Sequence, residues 1–146
     1  QRSAFKKNDE YRAVEEILKG PEIKLPDNVG PFQDKDHHLR NEIRIQWWEP
    51  TEGKTYQDVI FPQGNIKDFK GGATPLADDK PRPVYKDDVP VFFGHYWLES
   101  TNSCPPRVQQ DHICCLDYSV AKNGSLTAYR WEGEKILNND RLFSVR

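Results

Sequence analysis

The stretch Pro90-Val91-Phe92-Phe93-Gly94-His95-Tyr96-Trp97 carries the most chemistry in the chain. An apolar run leads into a glycine, and an imidazole stands at its end. A strand over Val91–Phe93 would fix the backbone, and Gly94 would permit a tight turn beside His95. Imidazole suits zinc, manganese and iron, which makes His95 a candidate metal ligand. An ion needs several donors, however, and a lone strand-end histidine is more commonly a hydrogen-bonded structural residue.

Other groups invite chemistry and support it less. Cys104, His112, Cys114 and Cys115 contain zinc-ligand types, but structural zinc favours Cys-x2–4-Cys pairs and the spacing here departs from that. Free thiols in the core or at the surface are the expectation. His37 and His38 sit in a charged run with Asp34, Lys35, Asp36, Arg40 and Glu42, which reads as a solvated loop. Ser119, His95 and Asp117 could nominally form a triad, yet no nucleophile elbow accompanies them. Arg44, just before Trp47-Trp48, could reach a phosphate with two N–H donors; a surface or ion-paired arginine is the plainer reading.

The elements that must position these residues follow from periodicity. Asp9 to Lys19 reads as a helix with Asp9 as its cap and Tyr11, Val14, Ile17 and Leu18 on one face. Gly20-Pro21 ends it. Residues Glu22 to Pro31 read as an extended loop. Ile43 to Trp48 alternates as a strand, which would put one Trp indole on each face. The polar stretch 49–88 reads as a long loop or insertion, with Lys70 to Arg82 the least ordered part. Strands are then predicted over Val91–Phe93, Ile113–Val120 and Ser125–Trp131, with a hairpin turn at Lys122-Asn123-Gly124. The second half thus reads as an antiparallel meander, and the fold class as α+β.

Composition bounds the alternatives. The chain has 146 residues, enough for one domain with a core. Four Trp, six Tyr and seven Phe argue against disorder. A net charge of −2 offers no basic surface for nucleic acid or for an anionic membrane. No apolar stretch is long enough for a membrane-spanning helix. Three cysteines, two of them adjacent, make a poor disulfide framework and point to free thiols in a reducing cytoplasm. The chain contains no Met and opens on Gln1-Arg2-Ser3. Processing or truncation of a longer protein would each explain this, and truncation is the expectation preferred here.

The blocks "PVFFGHYWL" and "CCLDYSVAKNGSLTAYRWEGEKIL" closely resemble the C-terminal end of calcineurin-like metallophosphoesterases. The likeness is greatest to the bacterial group related to serine/threonine protein phosphatases and symmetrical diadenosine tetraphosphate hydrolases. "LKGPEIKLPDNVGPFQDKD" and "RIQWWEP" look like the same group, and the resemblance is weakest over 51–86. It implies the C-terminal, antiparallel-strand-rich part of a four-layer αββα sandwich. It implies that His95 binds one of two divalent ions (Mn, Fe or Zn), and that Tyr96, Tyr118 and Arg44 are candidate substrate contacts. Many relatives carry Gly-His-x-His; the fourth position here is Trp97, as in the phosphoprotein-phosphatase branch.

Other family motifs are missing from the sequence. The "GDxxDRG" and "GNHE" motifs do not occur. Two-metal hydrolysis needs ions about 3.5–4 Å apart, clamped by several carboxylates and imidazoles. The resemblance therefore implies a parent protein that hydrolyses phosphate esters or anhydrides, on a phosphoprotein or a dinucleoside polyphosphate. This chain alone is expected to be inactive and to hold no ion stably. Its expected partners are the phosphorylated substrate of the parent and either a second copy or the missing N-terminal half. The strands Val91–Phe93 and Ile113–Val120 are expected to supply that contact surface. A non-catalytic interaction module of the same ancestry is the alternative.

Overall fold

The computed structural model describes residues 8–34, 37–63, 69–76 and 84–146. It is a mixed helix and strand structure of small, mainly antiparallel sheets. Where the sequence suggests one domain, the chain divides into two compact units, Gln1–Tyr85 and Lys86–Arg146.

In the first unit, helix α1 (Asp9–Lys19) runs over the predicted residues. Its cap is Asn8 rather than Asp9: the Asn8 side-chain oxygen accepts the Tyr11 N–H at 2.7 Å. Asp9 and Glu10 instead sit in the first turn, where the helix dipole favours negative charge. Gly20, at φ +78°, ends the helix. The apolar face is present but uncovered, with Ile17 83% exposed and no residue of the helix buried.

The expected loop after the helix contains β1 (Glu22–Lys24), which pairs antiparallel with β4 (Glu42–Arg44). Between them, β2 (Phe32–Gln33) and β3 (Leu39–Arg40) form a short hairpin. Strand β4 stops earlier than alternation suggests, because Trp47 and Trp48 lie in a turn. They do not straddle a strand. Trp48 is buried, its ring 5.1 Å from Trp47 and 5.0 Å from Phe61, both edge-on.

The polar stretch 49–88 is not a plain loop. It holds α2 (Tyr56–Val59), and Tyr56, Val59, Ile60 and Leu76 join Leu25, Ile43 and Ile45 in one core. The Asp58 carboxylate accepts both the N–H and the hydroxyl of Thr55, at 2.9 and 2.7 Å, which starts the helix. Gln46 then donates to the Val59 carbonyl at 2.7 Å, so this stretch folds back along β4. Of the segment Lys70 to Arg82, residues 77–82 lie outside the described residues.

In the second unit, β5 (Val91–Phe93) pairs with β6 (Ile113–Cys115), and the pairing is parallel. This corrects the expected meander: residues 94–112 cross over between the two strands. Alternation of side chains does not encode strand direction. The predicted strand Ile113–Val120 also breaks at Leu116. Its second part, β7 (Asp117–Tyr118), belongs to another sheet, ordered β7-β8-β9 and antiparallel, with β8 Ser125–Tyr129 and β9 Leu142–Val145. The turn between β7 and β8 is a 3-10 segment, Val120–Lys122, with Ser119 and Asn123 left-handed on either side. Gly124 is required there for space: a Cβ would fall 1.9 Å from the Tyr118 carbonyl oxygen.

Candidate functional site

His95 lies two residues beyond the end of β5 and is exposed. The backbone feature is different from the one the sequence suggests. It is His95 itself, at φ +73°, and Trp97, at φ +52°, that adopt left-handed conformations. Gly94 takes no positive φ; a Cβ there would meet only the Asp117 Cβ, at 3.6 Å. Two bulky non-glycine residues in this region within three positions indicate a loop held by its surroundings.

The hold comes from β7 and the residue after it. Asp117 Oδ2 accepts the Trp97 N–H at 3.2 Å, and its Oδ1 accepts the Ser119 N–H at 3.1 Å. The Asp117 carbonyl accepts the Leu98 N–H at 2.9 Å. Ser119 Oγ donates to the Leu98 carbonyl at 3.1 Å. Between the two clamped ends, Tyr96 is buried with its ring edge-on to Phe93 at 5.1 Å. Outside, Lys122 Nζ stands 4.7 Å from the centre of the Trp97 ring, a cation–π arrangement.

This geometry places the other candidates. The Ser119 hydroxyl and the Asp117 carboxylate are engaged by the loop backbone, so they serve its shape and not a nucleophilic triad. Tyr118 is buried, and its hydroxyl accepts the Arg107 N–H at 2.9 Å; burial pushes its pKa up. It stays a neutral packing residue at ordinary pH. Arg44 lies in the first unit, where its Nε meets Glu22 Oε1 at 3.2 Å across the β1–β4 pair. The structure thus brings His95, Tyr96 and Tyr118 into one unit and Arg44 into the other.

The thiols read as packing groups. Cys114 and Cys115 are fully buried, and burial pushes both pKa values up to about 12. A metal-ligating thiolate needs the opposite shift. Cys104 is exposed, and the His112 ring nitrogen Nδ1 meets the Lys135 carbonyl at 2.8 Å. His38 is exposed on the β2–β3 hairpin, where Asp34 accepts its N–H and the Arg40 Nε–H.

Among the described residues, no group of three His, Cys, Asp or Glu is placed to hold a metal ion. One imidazole does not constitute the donor set of a two-ion centre, so the residues described do not fit that centre by themselves. The sequence sets Asp117 beside His95 only as a nominal triad member and Lys122 only in a turn, whereas both contact the His95 loop through Trp97. The available signal was an aspartate inside the apolar run Ile113–Val120, since a charge there requires a partner. Among the described residues, no helix is long and apolar enough to cross a membrane. Comparison with protein-family models, with curated proteins and with solved structures gave no match.

Proposed function

We propose that the chain is the C-terminal part of a calcineurin-like metallophosphoesterase and that His95 binds one of two divalent ions in the complete enzyme. The observation that carries this reading is the loop after β5. An exposed imidazole sits at a left-handed φ in a loop clamped by hydrogen bonds from a neighbouring sheet, and strained backbone of this kind clusters at functional sites. The remaining ligands would come from a preceding segment carrying the family's aspartate and histidine motifs. The substrate is a phosphate ester or anhydride, on a phosphoprotein or a dinucleoside polyphosphate. The intact fold would be the four-layer αββα sandwich. A cytoplasmic location goes with this reading and is supported by three free cysteines.

Asp117 and Ser119 shape the loop, Tyr96 anchors it, and His95 projects from it. The test is phosphate release from p-nitrophenyl phosphate with added manganese. The chain alone is expected to be silent, and a longer polypeptide with the upstream motifs active. A silent longer polypeptide, folded and manganese-loaded, would sink the reading.

The β7-β8-β9 sheet favours a second reading, a non-catalytic interaction module. Leu126, Phe143 and Val145 share its outer face and are 58%, 51% and 63% exposed, whereas Ser125 and Thr127 face inward and are buried. An apolar outer face of this kind marks a contact surface. Activity of the longer polypeptide decides between the two readings.

A further inference from the structure

We propose that Asp117 is the positioning residue that fixes the direction in which His95 is presented. The proposal rests on the reading of His95 as a ligand and adds to it the device that aims the ring. The Asp117 carboxylate uses its two oxygens on two different segments. Oδ1 takes the Ser119 N–H at 3.1 Å, and Oδ2 takes the Trp97 N–H at 3.2 Å. The first bond is a local turn that many aspartates make. The second reaches back 20 residues, to the far side of His95. A turn-forming role accounts for the Ser119 bond alone.

The clamp continues on both sides. The Asp117 carbonyl receives the Leu98 N–H at 2.9 Å, and the Ser119 hydroxyl returns a bond to the Leu98 carbonyl at 3.1 Å. At its other end the loop is tied by the Leu116 N–H, donated to the Phe93 carbonyl at 2.9 Å. His95 is therefore spanned on both sides by bonds to 116–119. The left-handed φ angles of His95 and Trp97 are unfavourable for residues with side chains. Released from Asp117, both residues would turn to negative φ, and the His95 Cα–Cβ direction would swing. Charge-assisted bonds to a carboxylate are strong enough to prevent this.

Asparagine distinguishes aiming from space-filling. It has the shape of aspartate but a single acceptor oxygen, and its amide nitrogen would face a donor. Asp117→Asn must therefore lose one of the two bonds. The experiment uses the full chain, as wild type, Asp117→Asn and, as a control, His95→Ala. Substoichiometric Cu2+ is added as a paramagnetic probe, and amide signals are followed by NMR. In the wild type, the broadening that disappears in His95→Ala should be confined to a fixed set of amides around 94–98. In Asp117→Asn that set should spread or change. The Trp97 amide should exchange about tenfold faster, as expected for loss of a hydrogen bond to a charged group. Protected Cys114 and Cys115 amides would report an intact fold. An unchanged broadening map with unchanged Trp97 exchange would overturn the proposal. Should the asparagine variant not fold, Asp117→Glu, which moves the carboxylate by one methylene, must give the same altered map. An inactive longer polypeptide would defeat the phosphoesterase reading while leaving this map to stand or fall on its own.

Discussion

At the scale of single residues, the second unit sorts its polar groups by what they are tied to. His95 is exposed, and Asp117, Ser119 and Tyr118 are engaged by backbone partners. The thiols follow burial, and they give a pH-dependent prediction. Both buried cysteines have folded pKa values raised to about 12 from 9.0. Above pH 9 the unfolded chain releases these protons while the folded chain keeps them. The stability they contribute is complete below pH 9 and is lost as pH rises towards 12, by about 1.4 kcal/mol per pH unit for each thiol. Thermal unfolding of wild type and a Cys114→Ala variant over this window checks the slope, which should be shallower in the variant. A thiol reagent at pH 8 should label Cys104 alone in the folded chain and all the cysteines after unfolding. Rapid labelling of Cys114 or Cys115 without unfolding would contradict their burial.

At the scale of elements, helix α1 was legible because its start, its period and its Gly-Pro stop all agree. Strands β5 and β8 were legible for the same reason. The Trp47-Trp48 turn was hidden because Trp47 continues the alternation of Ile43 and Ile45. The core of 49–88 was hidden because four residues, spread over a polar stretch, show no periodicity. The parallel β5–β6 pairing and the break at Leu116 depend on what crosses between strands, which side-chain patterns do not carry. His95 was legible from its place after an apolar run, but the residue that aims it lies in another sheet. Close approaches give a paired prediction at this scale. A Cβ on Gly71 would lie 2.2 Å from Val29 Cγ1, and one on Gly124 would lie 1.9 Å from the Tyr118 carbonyl oxygen. Gly71→Ala should destabilise the fold by about 1–3 kcal/mol, and Val29→Ala in addition should restore part of the loss. Gly124→Ala meets backbone and should have no such rescue. Urea unfolding of the single and double variants checks both, and full stability of Gly124→Ala would refute the turn geometry.

At the scale of the whole molecule, the expected contact surface is only partly exposed, and other strands carry uncovered apolar residues as well. The sequence points to Val91–Phe93 and Ile113–Val120, but β6 is buried throughout. Of the expected strands, Phe92 and Val120 are exposed, and further uncovered apolar residues stand on β8 and β9 and on the face of α1 that carries Ile17 and Leu18. The chain should therefore bind an apolar dye and associate in dilute solution. Leu126→Lys with Val145→Lys should lower both, at little cost in thermal stability, since neither side chain is buried. Light scattering and dye fluorescence check this, and a wild-type chain that stays monomeric without binding dye would contradict it. The central claim concerns His95, and metal content tests it most directly. A longer polypeptide carrying the upstream ligand motifs, loaded with manganese and freed of excess ion, should hold two ions per chain. With His95→Ala it should hold at most one. Retention of both ions by the folded His95→Ala variant would contradict the assignment of His95 as a ligand.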